Sequence, residues 1–316
     1  MNKKEEYAGY LFTYFKGEAE DIVNGEQVYF ALSKGNDPLH WQELNGGKPI
    51  LTSELGEKGV RDPFMIRSPL NGKVYLLGTD LKIQGNGNWE RAVAEGSKAI
   101  MIWESSDFVH WSKQRMVELA PPDAGCTWAP EATFDAENEE FIVYWASMLE
   151  ESSKENDKSR YHQMLYSKTK DFVEFSEPRP FIDYGYSVID ATMMVEKNKF
   201  YRFAKGKHVF QESNESLLQT NYITLNRNIE EAFMVRGEGP IIFKSNIEEK
   251  WYLYIDEYGL RGYLPLETTN LDSGEWTEPD HYSLPFKPRH GSIIPITLSE
   301  YDRLLSAYGT KEGENV

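Results

Sequence analysis

The chain has 316 residues, 40% of them hydrophobic and 14% aromatic, which excludes a disordered chain and is enough to bury a large core. A formal net charge of -17 argues against nucleic-acid and anionic-membrane partners, both of which call for basic surfaces. The single cysteine, Cys126, excludes an internal disulfide and a Cys-based zinc site.

In chain order, the first strand is read at "YAGYLFTYF" (7–15), dense in aromatic residues. "FALSKGNDPLHW" (30–41) reads as a hairpin: an apolar end, Ser, a polar turn with Asp, then an aromatic. "RDPFMIRS" (61–68) opens on polar residues and continues as a strand, and "KVYLLGTDL" (73–81) is a second strand. A polar insertion, "KIQGNGNWERAVAEGSKA" (82–99), precedes the hairpin "WESSDFVHW" (103–111). The order then recurs as "WAPEATFD" (128–135), "EFIVYWAS" (140–147), a second polar insertion (150–163) and the hairpin "LYSKTKDFVEF" (165–175). It recurs again as "VIDATMMVE" (188–196), "KFYRFAKG" (199–206) and a degenerate hairpin, "FQESNESLLQ" (210–219). The next copy is "GEGPIIFKS" (237–245), "KWYLYIDEY" (250–258) and "LETTNLDSGEW" (266–276). "RHGSIIPIT" (289–297) stands alone near the end, followed by a short helical pattern at 299–309.

The unit is strand, strand, hairpin, hence four strands, and it occurs five times. Four-stranded sheets repeated radially are blades of a β-propeller. The expected fold is therefore all-β, a five-bladed propeller forming one domain over residues 1–316. The fifth blade is split, with "RHGSIIPIT" supplied from the C-terminal end and "YAGYLFTYF" with its hairpin from the N-terminal end. Pairing the two closes the ring and removes its open edges. Long loops on such a scaffold are either functional or solvated connections.

The repeat places Asp62, Glu131, Asp190, Glu238 and His290 at or near matching positions on the strands that line the channel. Neighbouring carboxylates push one another's pKa values apart, as an acid/base pair at neutral pH requires. Glycoside hydrolysis is the reaction class that uses two carboxylates. Glu238 has the most specific setting, between Gly237 and Gly239 and followed by Pro240. Asp62 precedes Pro63, a pair that also initiates turns; Asp37-Pro38 lies in an outer hairpin and is read only as a turn. Asp190 is either an axial carboxylate or a backbone cap. Glu131 either binds substrate hydroxyls or pairs with Arg or His as structure. Arg289 either hydrogen-bonds sugar hydroxyls or neutralises the carboxylates. Trp128 either stacks on a sugar face or packs in the core. His290 is either a metal ligand or a satisfied polar core residue.

These motifs resemble the family 43 glycoside hydrolases, five-bladed propellers, from about Tyr7 to about Tyr308. In that family a blade-one "DP" carries the general base, which matches Asp62 in "VRDPFMI". A blade-three "ID" carries an Asp that orients the acid and tunes its pKa, matching Asp190 in "VIDATM". A blade-four "EGP" carries the general acid, matching Glu238. "TWAPEA" matches the blade-two motif, and Arg289 and His290 match a blade-five "RHG" whose Arg contacts the sugar and whose His, in some members, lies near a bound calcium. In most members the "DP" motif lies near the start of the domain, whereas about sixty residues precede it here; they are read as the N-terminal strands of blade five.

The resemblance implies an exo-acting, inverting hydrolase of α-L-arabinofuranosides or β-D-xylosides, with galactosides a minority activity. No β-sandwich follows the propeller in this sequence, which tilts the expectation to an arabinofuranosidase, and the insertion at 82–99 is expected to wall the pocket. The expected partner is a carbohydrate, with no nucleic acid and no membrane. No organic cofactor is expected, and a structural calcium on the axis is the one metal the resemblance suggests. The start, "MNKKEEYAGY", has no apolar signal-type stretch, so the expected location is cytoplasmic unless a signal peptide has been removed. Two rivals stay open. A family 32-type fructan hydrolase needs an axial "NDPNG"-like nucleophile and a Glu-Cys acid motif, which are not found. A non-catalytic sugar-binding propeller would not need three axial carboxylates.

Overall fold

The computed structural model describes residues 6–150 and 160–309. Three strands come first: β1 (Tyr7–Phe15), β2 (Tyr29–Lys34) and β3 (Asp37–Glu43). Blade one holds β4 (Val60–Arg67), β5 (Val74–Asp80), β6 (Ala99–Ser105) and β7 (Arg115–Glu118). Blade two holds β8 (Trp128–Asp135), β9 (Glu140–Glu150), β10 (Arg160–Thr169) and β11 (Arg179–Ile182). Blade three holds β12 (Ile189–Glu196), β13 (Lys199–Lys205), β14 (Val209–Asn214) and β15 (Ile223–Asn226). Blade four holds β16 (Glu238–Lys244), β17 (Trp251–Glu257) and β18 (Gly262–Thr268). The last strand, β19 (Arg289–Thr297), pairs antiparallel with β1 and makes blade five in the order β19-β1-β2-β3. The protein is thus an all-β five-bladed propeller, closed by pairing its two ends.

The alternation of each strand explains why the core is divided into wedges. Successive side chains point to opposite faces of a blade, so each strand feeds two interfaces. On β1, Tyr10, Phe12 and Tyr14 pack against Tyr252 and Tyr254 of blade four, while Leu11 packs with Leu76 and Met101 of blade one. On β9, Phe141, Val143 and Trp145 face blade one, and Ile142, Tyr144 and Ala146 face Ala204 and Phe210 of blade three. Blades three and four meet over Phe203, Leu253, Ile255 and Trp276. Among the described residues, five apolar clusters fill the five interfaces between neighbouring blades.

The Asp of each hairpin repeat has a local task. Asp37, Asp107 and Asp171 accept backbone N–H bonds from Leu39, Val109 and Val173, two residues on, and Asn270 does the same for Asp272. These side chains set the turn. Asp37-Pro38 is one of them, as expected. The aromatic that follows each turn is buried in its blade: Trp41 within β3, and Phe108, Phe172 and Trp276 outside any strand. The fourth strands of blades one to three therefore begin further on than the hairpin pattern suggested, and blade four has only the isolated pair Glu267–Thr277 in that place.

The short helical pattern is a helix (Leu298–Tyr308) with a capping box of Thr297 and Glu300. Glu300 also takes a bidentate bond from Arg67 of β4 at 2.7 and 3.0 Å, and Tyr301 donates to the Ser33 carbonyl. The helix thereby locks the closing strand to blades one and five. The insertion at 82–99 carries a single-turn helix at Trp89–Ala94. Of the second insertion, residues 151–159 lie outside the described residues.

Candidate active site

The five innermost strands share one irregularity. Each carries a bulge in which two residues stand opposite one on its neighbour: Asp62-Pro63, Ala129-Pro130, Asp190-Ala191, Gly239-Pro240 and His290-Gly291. The first bulge residue is left-handed in four blades, with φ of 51° at Asp62, 48° at Ala129, 55° at Asp190 and 52° at Gly239. Such bulges turn a side chain away from the ladder and aim it elsewhere. Non-glycine residues held there at a cost in strain mark functional sites more often than ordinary strands.

The bulges correct the alignment expected from sequence. The matching triplets are Arg61-Asp62-Pro63, Trp128-Ala129-Pro130, Ile189-Asp190-Ala191, Glu238-Gly239-Pro240 and Arg289-His290-Gly291. Asp62, Asp190 and His290 share the middle position. Glu238 lies one residue earlier, level with Arg61, Trp128 and Arg289. Glu131 lies two residues later, level with Thr192 and Ser292, and it lines the channel below in a cavity of about 230 Å³. The five polar residues form three tiers down the axis instead of a single ring.

In the middle tier the His290 ring stands between two carboxylates, with Nδ1 3.4 Å from Asp62 and 3.8 Å from Asp190. Burial disfavours its charge, but Asp190, Asp62 and Glu131 outweigh that and push its pKa up to about 10. The Thr79 hydroxyl donates to Asp62 Oδ2 at 2.6 Å and accepts from the Ala129 N–H at 2.8 Å. Burial would raise the Asp62 carboxyl, yet His290, Arg61 and Thr79 together hold it below the usual carboxylate value. Asp190 is the opposite case. Burial raises it, His290 opposes, and the Asp62 charge adds to the rise. Its Oδ2 accepts the Gly239 N–H at 3.1 Å, so it grips the backbone next to Glu238.

Glu238 is held from the other side. Arg289 Nη2 donates to its Oε1 at 2.8 Å, while Arg289 Nε donates to the fully buried Asp256 at 2.5 Å. Asp256 is the cross-strand partner of Glu238. These carboxylates hold Arg289 firmly as a cation against the cost of burial. Burial and the Asp190 charge raise Glu238; Arg289 opposes them, Asp256 adds to the rise, and the pKa settles at about 7. The glycines beside Glu238 are both needed. A Cβ on Gly239 would stand 2.7 Å from His290 Cγ, and one on Gly237 would stand 2.5 Å from Ile255 Cγ2.

Glu131 is buried at 3% exposure, with its Oε2 near the Tyr144 hydroxyl at 3.5 Å, and burial pushes its pKa up to about 8 despite the His290 charge. Trp128 is half-buried, stacked on His162 at 5.1 Å and edge-on to Trp89 at 6.3 Å. No three His, Cys, Asp or Glu side chains among the described residues converge in a way that could hold a metal ion.

Residues 5–302 match the model of a family-43-related group described as "Probable glycosyl hydrolase domain". The chain belongs to this family of glycoside hydrolases. It is 34% identical over 212 residues to an alpha-L-arabinofuranosidase of Bifidobacterium longum subsp. longum, an alignment covering 63% of the chain but only 20% of that relative. The chain thus spans about a fifth of the length of the curated relative it matches. Its fold is similar to the catalytic domain of the Coprinopsis cinerea GH62 alpha-L-arabinofuranosidase, with a TM-score of 0.52, 12% identity and coverage of 73% and 72% of the two chains. A thermostable family-43 glycoside hydrolase aligns with a TM-score of 0.48 at 18% identity over 73% and 76% of the two chains.

Several side chains around the site of this glycoside hydrolase escaped the sequence reading. Arg61 is buried and paired with Glu26 at 2.9 Å and Glu18 at 3.0 Å, with Phe15 and Trp89 rings over its guanidinium at 4.6 and 4.9 Å. Glu26 also accepts the N–H groups of Ile83 and Gln84, which pins the start of the 82–99 insertion against blade five. The insertion therefore brings Trp89 to the mouth beside Arg61 and Trp128. A usable signal existed for Arg61, since it precedes Asp62 as Arg289 precedes His290. Asp256 and Thr79 gave none, because only strand pairing brings them to the axis.

Proposed function

We propose that this glycoside hydrolase is an exo-acting, inverting α-L-arabinofuranosidase. The observation that carries the reading is a pair of carboxyls pushed apart by their surroundings. Asp62 lies below the ordinary range, and Glu238 lies at about 7. At neutral pH the first is ionised and the second keeps much of its proton, which is the division of labour an acid/base pair needs.

In this mechanism the Glu238 proton passes to the glycosidic oxygen as its bond to the anomeric carbon breaks. A water on the opposite face of the sugar attacks that carbon and gives a proton to Asp62. Inversion needs the two carboxyls roughly 6.5–9.5 Å apart to admit that water. Both groups then exchange protons with solvent and the cycle resets. Thr79 and His290 hold Asp62, and Asp190 fixes the backbone beside Glu238 while its charge favours the protonated acid. Trp128 offers an aromatic face to the sugar, and Arg289 holds Glu238 in place through Nη2. Glu131, deeper in the channel, supports the His290 charge from below. The crowding of Trp89 and Trp128 at the mouth favours a terminal sugar over an internal one. The Bifidobacterium relative supports arabinofuranose as that sugar.

The deciding assay is sugar release from aryl α-L-arabinofuranoside and aryl β-D-xyloside. Arabinose release at least tenfold faster is the expected result, with the inverted anomer as the first product by NMR. A preference for the xyloside would overturn the sugar, and a retained anomer would overturn the mechanism.

The pH profile on a saccharide leaving group follows from the same pair. Activity should hold from the acid side, where Asp62 stays ionised, and fall as pH rises through about 7 and Glu238 loses its proton. Removing the Asp190 charge removes a cause that raises Glu238. Asp190→Asn is therefore expected to move the alkaline limb to lower pH by about one unit. A limb that stays in place would show that Asp190 does not tune the acid.

A further inference from the structure

Beside the proposed acid, the loops after β1 and between β17 and β18 enclose a cavity of about 320 Å³. Three of its lining residues, Gly17, Gly259 and Gly262, carry no side chain, which leaves the room. Most of the charged side chains on its wall are basic. Lys16, Arg261, Lys287 and Arg289 line it against Glu18 alone, in a protein of net charge -17.

Arg289 joins the cavity to the acid. Its Nη2 holds Glu238 at 2.8 Å, while a Cβ placed on Gly17 would stand 3.3 Å from its Nη1. A general acid gives its proton to the oxygen of the departing group, so that group must lie on the acid's side of the scissile bond. The space next to Glu238 across Arg289 is where it has room.

The four cations are not equally engaged. Lys16 is bound to Glu43 at 2.7 Å, Arg261 to Glu257 at 2.5 Å and Arg289 to Asp256 and Glu238, each partner at least partly buried. Among the described residues Lys287 is ion-paired with Asp21 alone, at 3.3 Å and with the two side chains 49% and 70% exposed, a pair that contributes little and yields readily to a ligand. Next to it Phe286 is 57% exposed, with the Lys287 ammonium 5.3 Å and the Lys16 ammonium 5.6 Å from its ring centre. An exposed aromatic face suits the apolar face of a sugar ring, and the ammonium at its edge suits a carboxylate.

We propose that this cavity is a leaving-group subsite that favours a saccharide carrying a uronic acid, with Phe286 as the platform and Lys287 as the partner of the carboxylate. The inference rests on the glycosidase reading above for the position of the leaving group. The test compares kcat/KM on two substrates with the same arabinofuranosyl linkage, one whose leaving saccharide contains glucuronic acid and one with glucose in its place. Wild type should favour the acidic substrate by about fivefold at low salt, and Lys287→Glu should reverse the preference. Phe286→Ala should lower kcat/KM on both and keep the acid preference. Because the readout is a ratio within each variant, partial loss of folded protein cancels. Equal rates on the two substrates in wild type, or an acid preference that survives Lys287→Glu, would overturn the subsite. Binding of a glucuronic-acid-containing disaccharide, measured by calorimetry, separates the two readings. If it binds and Lys287→Glu weakens it while no arabinose is released, the subsite stands and the arabinofuranosidase reading falls. If it does not bind, the subsite falls whatever sugar is released.

Discussion

Asp62→Asn is expected to lower kcat on an aryl α-L-arabinofuranoside by about 10³- to 10⁴-fold, with KM little changed. A good leaving group relieves the acid but not the base, since water must still be deprotonated as it attacks. Asn keeps the shape of the side chain and can still accept the Thr79 hydroxyl, so the bulge at this position should persist. What it loses is the ability to take a proton. The variant also loses one counter-charge to the buried His290, but Asp190 at 3.8 Å remains. A stability loss of about 1.5–3 kcal/mol is expected from thermal unfolding, well short of unfolding the propeller. Azide gives the assay a second reading, because it attacks without needing a base. If Asp62 is the base, azide restores turnover in the variant and yields the inverted arabinosyl azide. A merely structural Asp62 would give no such rescue, and a fully active Asp62→Asn would place the base elsewhere on the axis.

Much of the scaffold was legible because each blade repeats a physical pattern. The innermost strands open on a polar or aromatic triplet and run into apolar residues, so their limits could be read to within a residue or two, and β8 and β19 were read at both ends. The ring closure was legible for a similar reason: a lone inner strand at one end and its missing partners at the other leave one economical pairing. The tiers were not legible in the same way. Aligning carboxylate with carboxylate put Glu131 and Glu238 level with Asp62, whereas the bulges align Arg61, Trp128, Glu238 and Arg289 as one set and Asp62, Asp190 and His290 as another. In a strand one residue of slip reverses the side chain, so residue type without the bulge could not fix depth. Aligning the triplets "RDP", "WAP", "IDA", "EGP" and "RHG" by their third residue, Pro in three and Ala or Gly in the others, would have done so. The partners Asp256, Thr79 and Glu26 lay beyond either alignment. Each reaches the site from a neighbouring strand or loop, through pairing that a linear pattern does not encode.

The level of Glu238 leads to the second large effect. Glu238→Gln is expected to reduce kcat/KM on an arabinosyl saccharide by about 10²- to 10⁴-fold, yet to cost less than about tenfold on a dinitrophenyl arabinofuranoside. A sugar alkoxide leaves only with a proton, whereas dinitrophenolate leaves without one. Gln can still accept from Arg289, and Asp256 still holds that guanidinium, so the geometry of the upper tier should survive. The alkaline limb near pH 7 should vanish in this variant, because the group that titrates there is gone. An acid limb that remains would belong to Asp62. The two variants therefore fail differently. Asp62→Asn loses both substrates and is rescued by azide; Glu238→Gln loses one substrate and keeps the other. Equal losses of Glu238→Gln on both substrates would mean that the carboxylate binds or positions the sugar without donating the proton. The leaving-group cavity across Arg289 would then have no acid beside it, and the acid would have to be sought among the other raised carboxyls, Asp190 first.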